Sequence, residues 1–303
     1  MVAEHGTIRL AGSVWLPAAV PPCGLILMHP GSGPSDRDND VLFPPIRAAL
    51  LATGVAVCSY DKRGVGGSSG HWQEAGIDAQ ADDLGHGLRA ARKIVPEGPV
   101  GLFGHSQGGW VVLQANRRVS PSFVVTNTGP SVSPFLQEEY STGNRLRAAG
   151  WPDADVAPAM TVFHELMDRA LAGMSFTQAQ HWMTEPARAD AIRALADAGV
   201  FVPDSDALWS LASSLVGYDP RPALDDISVP LLALFGALDC VVPVADCVAR
   251  YRRHVRRDLL EVTVVAGADH RLQLKGSEVF APGYLAALTA FVVAQLRRSG
   301  RST

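Results

Sequence analysis

"VGLFGHSQGGWVVL", residues 100–113, joins two apolar runs through Gly104-His105-Ser106-Gln107-Gly108-Gly109. The first run is short and continuously apolar, as in a strand buried on both faces. The second carries apolar residues at helical spacing. Gly-x-Ser-x-Gly between a strand and a helix is a nucleophile elbow, a turn so sharp that only residues without a large side chain fit beside the serine. The turn lifts the Ser106 hydroxyl clear of the sheet, at the amide-rich start of the next helix. There the backbone N–H of Gln107 can donate to a developing oxyanion. A bare match to this pattern is weak, and the strand–turn–helix setting gives it its force.

Outward from the elbow, strand-like and helical stretches alternate. Residues 24–29, 54–60, 99–105, 122–127, 230–236 and 260–267 read as strands, and 7–17 reads as an antiparallel strand or hairpin at the edge. Residues 41–53, 78–95, 107–119, 244–256 and 284–298 read as helices, with Asp78 placed to cap the second. This rhythm predicts an α/β fold, a mostly parallel central sheet covered by helices. Residues 131–225 break it with helix-like stretches separated by Pro134, Pro152, Pro158, Gly173, Pro186 and Pro203. The expected division is a core of residues 1–130 and 226–303 with a helical lid, 131–225, inserted between two strands. Inserts at the carboxyl ends of strands lie over the crevice where ligands bind. A helical layer without substrate contact is the alternative. The tail 297–303 is expected to fray.

A serine hydroxyl needs a general base within hydrogen-bond reach. His270, in "VVAGADHRL", follows the last strand-like run and so lies at the same sheet edge as the elbow. The base in turn needs a group that fixes its tautomer and stabilises the imidazolium. Asp239, in "GALDCVVP", follows the preceding strand at that edge, whereas Asp269 adjoins His270 and is poorly placed to reach its ring. Ser106, Asp239 and His270 then stand in the chain order of acyl hydrolases built on this architecture. The glycine-rich loop "MHPGSGPSDRD" (28–38) is the expected source of a second oxyanion donor, the N–H of Ser32 or, second, of Gly33. No G-x-x-x-x-G-K-[ST] is present, so the loop is not read as a phosphate cradle.

Composition narrows the function classes. A net charge of −4 and a pI near 6.1 provide no field for nucleic acid, and the basic run Arg250–Arg257 reads as a solvated helix face. No apolar stretch reaches the roughly 18 residues of a membrane span, and the start is too polar for a signal peptide. The four cysteines show no CxxC or zinc spacing. The expectation is a cytoplasmic protein with a small-molecule substrate and no metal, cofactor, nucleic-acid or membrane partner.

"HPGSGPSDRD" (29–38), "YDKRGVGGSSG" (60–70), "GHSQGG" (104–109), "PLLALFGALDCVVP" (230–243) and "GADHRL" (267–272) together resemble the α/β-hydrolase superfamily, over about residues 7–296. The first of these is similar to the loop of a bacterial carboxylesterase branch acting on small acyl esters. The resemblance implies a serine hydrolase with an acyl-enzyme intermediate and no cofactor, with Ser106, Asp239 and His270 as triad and Gln107 and Ser32 as oxyanion donors. Pro30 stands where many relatives have His-Gly directly, which leaves the donor within residues 31–33 open. Asp36, Arg37 and Asp38 either orient that loop by ion pairing or touch a polar substrate group, Arg63 is expected to anchor its own loop, and His105 to shape the site as a substrate-binding candidate. Phe163, Trp182, Met160 and Met167 line an apolar acyl pocket or form lid core. Thioesterase, acyltransferase and peptidase chemistry, including a tailoring step in natural-product synthesis, use the same triad, and a non-catalytic binding protein could share the fold. Haloalkane dehalogenase and epoxide hydrolase need an acid at position 106 and are excluded.

Overall fold

The computed structural model describes residues 1–299. The expected edge strand is a hairpin of β1 (Val2–His5) and β2 (Ile8–Trp15), antiparallel about the Gly6-Thr7 turn. β1 is too short and polar to announce itself, and pairing is what makes it a strand. The continuous apolar runs become β3 (Leu25–His29), β4 (Ala56–Tyr60), β5 (Val100–His105), β6 (Phe123–Asn127) and β7 (Leu231–Gly236), buried at every position. β8 (Leu260–Val265) closes the far edge, and Val264 there is 47% exposed. The order is β1-β2-β4-β3-β5-β6-β7-β8, parallel from β4 to β8. Parallel neighbours require crossovers, and the helices supply them.

Around the sheet lie α1 (Phe43–Leu51), α2 (Ile77–Arg92) and α3 (Gln107–Val119). Between β6 and β7 come α4 (Pro134–Ala148), α5 (Asp153–Leu171), α6 (Phe176–Thr184), α7 (Pro186–Asp197), α8 (Asp206–Val216) and α9 (Arg221–Asp225). α10 (Val244–His254) and α11 (Tyr284–Ser299) follow. One face of the sheet packs Ile26, Met28, Phe103, Val125 and Leu232 against Ile46 and Leu50 of α1 and Leu288 and Phe291 of α11. Phe43–Phe103 and Phe123–Phe291 meet edge-on at 6.0 and 5.9 Å, the arrangement aromatic quadrupoles favour. α2 and α3 pack together beside β5. Asp78 does not cap α2, whose N-cap is Gly76. Its carboxylate accepts from Arg118 and from Gln114 at 2.7 Å, tying α2 to α3. Of the tail expected to fray, residues 297–299 continue α11, and 300–303 lie outside the described residues.

The chain divides into two compact units. The sheet unit holds Met1–Ser131, Pro220–Asp239 and the chain from Val244 onward; the helical unit holds Val132–Asp219 and Cys240–Pro243. The helical unit has its own apolar core, in which Val156, Phe163, Leu166, Met167, Trp182, Met183 and Trp209 are buried. Local signals start its helices: Ser133, Ser175 and Ser205 accept from amides of the first turns, and Ser175 with Gln178 completes a capping box. Pro134 and Pro186 stand at helix starts, where a missing N–H costs nothing. Pro158 instead lies inside α5, so it separates no helices and leaves the Ala154 carbonyl without its helical partner.

Candidate active site

β5 ends at His105 and α3 begins at Gln107, so Ser106 alone makes the turn. Its backbone stands at φ 52°, ψ −121°, which a non-glycine residue rarely adopts. The glycines are demanded by contact. A Cβ on Gly104 would lie 2.0 Å from the Gly108 carbonyl oxygen, and one on Gly108 2.5 Å from that of His29. One on Gly109 would lie 2.4 Å from the Gly129 Cα. The strained turn is held from both sides: the Ser106 N–H donates to Asn127 O of β6 at 3.0 Å, and the Gly109 N–H to Ser106 O at 2.7 Å.

His270 Nε2 lies 3.0 Å from Ser106 Oγ, and His270 Nδ1 lies 2.8 Å from Asp239 Oδ2. All three stand at carboxyl ends of parallel strands: Ser106 after β5, Asp239 after β7, His270 after β8. The Asp239 carboxylate is fully buried and the imidazole 18% exposed, so the charge sits behind the ring and the ring edge toward the serine is reachable. Asp269 does not reach the ring. Its Oδ1 accepts from the Arg271 and Gln273 amides at 2.8 and 3.0 Å and shapes the turn that presents His270.

The loop after β3 comes to the same place. A Cβ on Gly31 would lie 3.4 Å from the Ser106 Cβ, so the Gly31–Ser32 peptide runs beside the nucleophile. Gln107 opens α3, and the first amides of a helix have no intrahelical partner. Arg37 has the first of the two roles left open, ion pairing: it donates to both oxygens of Asp61 at 2.9 and 2.6 Å and to Ser13 Oγ at 2.7 Å. Burial alone would raise the Asp61 carboxyl. Arg37 and the Gly67 and Arg37 amides outweigh it and hold it below the usual carboxylate range. Asp38 pairs with Arg47, and Arg63 grips Asp83 with two bonds of 2.7 and 2.8 Å.

Sequence reasoning missed a buried polar chain beneath this loop. His29 Nδ1 lies 3.2 Å from Tyr60 OH, and its Nε2 lies 3.0 Å from Gln80 Oε1. Gln80 Nε2 donates to Ala75 O and, at 3.4 Å, to Gln107 Oε1. Lys62 Nζ donates to Gly31 O and, at 3.3 Å, to the same Gln107 Oε1. Burial, with the Lys62 charge adding to it, pushes His29 down to about 3, so its ring is neutral. Burial pushes Lys62 down to about 7. A faint signal existed: this chain uses three lysines against twenty-three arginines, and one of the three stands two residues after the end of β4.

His105 Nδ1 lies 3.1–3.2 Å from Asn127 Nδ2, Asn127 O and Thr128 Oγ1, and its ring centroid is 5.4 Å from that of His270. Burial holds it neutral, well below its ordinary range, so it buttresses the elbow. Phe163, Met167 and Trp182 are buried in the core of the helical unit, the second of the two roles left open for them. Met160 is partly buried against that core and lines a groove with Arg147, Asp153 and His164. Gly33, at φ 78°, has nothing within 4 Å of where a Cβ would stand. Among the described residues no three His, Cys, Asp or Glu side chains gather as a metal-holding group, and no helix is long and apolar enough to cross a membrane.

A mostly parallel eight-stranded sheet, with helices inserted after β6 and a serine turn closing β5, is the α/β-hydrolase fold. The chain belongs to the family described as serine aminopeptidase, S33, whose model matches residues 41–274. That match spans Ser106, Asp239 and His270 but begins after the Gly31–Gly33 loop. No sequence match to a curated protein was found. Among solved structures, Est1E from Butyrivibrio proteoclasticus, with ferulic acid bound, superposes with a TM-score of 0.61 at 16% identity, over 99% of this chain and 98% of that one. The proline iminopeptidase of Mycobacterium smegmatis gives 0.62 at 19%, over 98% and 99%. The Paleococcus ferrophilus monoacylglycerol lipase gives 0.58 at 17%, over 94% and 99%. At these identities the likeness is one of fold.

Proposed function

We propose that this chain is a serine hydrolase that cleaves a carboxylic ester of a small molecule through an acyl-enzyme. The observation that carries the reading is the unbroken line Ser106 Oγ, His270, Asp239, with separations of 3.0 and 2.8 Å. Ser106 Oγ attacks the ester carbonyl carbon while its proton passes to His270 Nε2. Asp239 holds Nδ1–H and stabilises the imidazolium. The N–H groups of Gln107 and Ser32 receive the oxyanion. As the tetrahedral centre collapses, the carbonyl re-forms, the C–O bond to the alcohol breaks, and His270 returns the proton to the leaving oxygen. Water then repeats the sequence on the acyl-enzyme, giving the acid and free Ser106.

The family description favours one second reading, an aminopeptidase using the same triad. The two are separated by assaying p-nitrophenyl esters of increasing acyl length beside aminoacyl p-nitroanilides. Ester turnover that depends on Ser106, with anilide turnover at least about 100-fold lower, supports the esterase. The reverse preference replaces it with the peptidase.

A further inference from the structure

The peptide between Gly31 and Ser32 carries both the carbonyl that Lys62 grips and the N–H assigned to the oxyanion. In a trans peptide these two groups lie in one plane and point in opposite directions. A donor fixed on the carbonyl therefore sets the direction of the amide. Resonance adds a second effect: pulling electron density toward the oxygen makes the N–H a stronger donor.

Lys62 is built for that grip. It follows β4, and its own N–H donates to Ser35 O at 3.1 Å while its Nζ donates to Gly31 O. One residue thus staples both ends of the Gly31–Ser35 segment. Ser35 Oγ, donating to Ser32 O at 3.3 Å, ties the segment internally. The ammonium's other partner, Gln107 Oε1, belongs to the residue whose own N–H is the first oxyanion donor. Both donors are therefore referred to one side chain. A buried ammonium is costly unless hydrogen-bonded, and here its partners are uncharged oxygens rather than a carboxylate. A purely structural ion pair would have supplied a carboxylate, which would also cancel the positive field beside the oxyanion.

We propose that Lys62 is a positioning residue for the oxyanion hole, aiming and polarising the Ser32 N–H through the Gly31 carbonyl and holding Gln107 from the same ammonium. This rests on the serine-hydrolase reading. It also selects Ser32 over Gly33 as the second donor, because only the Ser32 N–H shares a peptide with the gripped carbonyl.

The surrounding groups leave Lys62 as the charge that titrates. His29 on β3 and His105 on β5 are held neutral by burial, and burial pushes the Tyr60 hydroxyl on β4 up. Gln80 and Gln107 carry no charge. Asp61 is taken by Arg37, and Asp83 by Arg63 with His5 alongside. As pH rises through about 7 the ammonium loses its charge, while the amine that remains still donates. The positioning persists and the polarisation fades.

The test is Lys62→Met with the full chain, measured on a p-nitrophenyl ester beside wild type and Ser106→Ala across pH 6–9. The expected result is a kcat about 10- to 100-fold lower, short of the 10²–10³ for deleting a donor outright. KM stays within about 2-fold and the melting temperature shows a folded protein. Wild type should also show an alkaline fall of about 3- to 10-fold centred near pH 7 that the Met variant lacks, since a charged donor is roughly twice as strong as a neutral one. Should the Met variant not fold, Lys62→Arg decides, since its guanidinium keeps its charge through pH 6–9: it should retain turnover and lose the alkaline fall, and a fall identical to that of wild type overturns the proposal. An unchanged kcat in a folded Lys62→Met also overturns it. If Ser106→Ala keeps turnover, the serine reading falls and this proposal with it; an inactive Ser106→Ala beside a fully active Lys62→Met removes the Lys62 role alone.

Discussion

At the scale of single residues, chemistry is concentrated on three side chains and strain on one. Ser106 is the only non-glycine residue of the elbow held at positive φ, with a hydrogen bond donated to β6 and one accepted from α3 keeping it there. Ser106→Ala should leave the fold intact and cost about 10⁴–10⁶ in kcat, the residue being background from binding and the oxyanion hole. Asp239→Asn is the sharper change. Its amide can present N–H to His270 Nδ1, stabilise the wrong tautomer and cost about 10⁴ with the geometry preserved. Steady-state kinetics with a folded control checks both, and a loss under about 10-fold for either contradicts the triad. Gly108→Ala acts differently. Its Cβ would meet backbone oxygen at 2.5 Å, and backbone cannot step aside as a side-chain tip can. It should lower stability by about 1–3 kcal/mol or more and reduce activity together with melting temperature.

At the scale of elements, what could be read in advance depended on how far a segment's structure is decided locally. β3, β5, β6 and β7 were legible because a strand buried on both faces must be apolar throughout. β1 was not, since four residues at a polar edge become a strand only by pairing with β2. The position of Asp78 near the start of a helical stretch suits a cap, yet Arg118 and Gln114 on another helix claim it. Pro158 by itself predicts a break, but tertiary packing of Val156, Ala159 and Phe163 carries α5 through it. The triad was legible because strand ends share an edge. The Lys62–Gln107–Gln80–His29 chain was not, because a buried polar network leaves no periodic signature. The insertion's aromatic and methionine positions kept two readings until burial was known. Phe163, 2% exposed and 6.5 Å from the Phe135 ring, should cost about 3–5 kcal/mol of the helical unit's stability when cut to alanine. Denaturant unfolding followed by far-UV CD checks this, and a loss below about 1 kcal/mol contradicts a core role.

At the scale of the whole molecule, the buried titratable groups give stability a pH dependence of calculable sign. Burial holds His29 at about 3 against an ordinary 6.5, and Lys62 at about 7 against 10.5. Between each pair of values the unfolded chain binds the extra proton, so stability rises with pH across about 3–6.5 and from about 7 upward. Cys58, pushed up to about 12 by burial, opposes the Lys62 slope above about pH 9, where only the unfolded thiol ionises readily, and the sign reverses only above about pH 10.5. Melting temperature should therefore climb from pH 4 to 6.5 and again from 7 to 9. His29→Gln should make the first rise shallower, since buried His105 contributes to it as well, and Lys62→Met should flatten the second; parallel curves for variant and wild type contradict the assignment. Activity should move oppositely in the upper window, falling as the folded protein gains stability.

The most direct test of the central claim, that Ser106 is the attacking nucleophile, is covalent labelling with a fluorophosphonate followed by peptide mapping. One adduct per chain is expected, on the peptide containing Gly104–Gly109, absent in Ser106→Ala and strongly slowed in a folded His270→Ala. A folded wild-type protein that takes up no label, or takes it up equally when Ser106 is alanine, contradicts it.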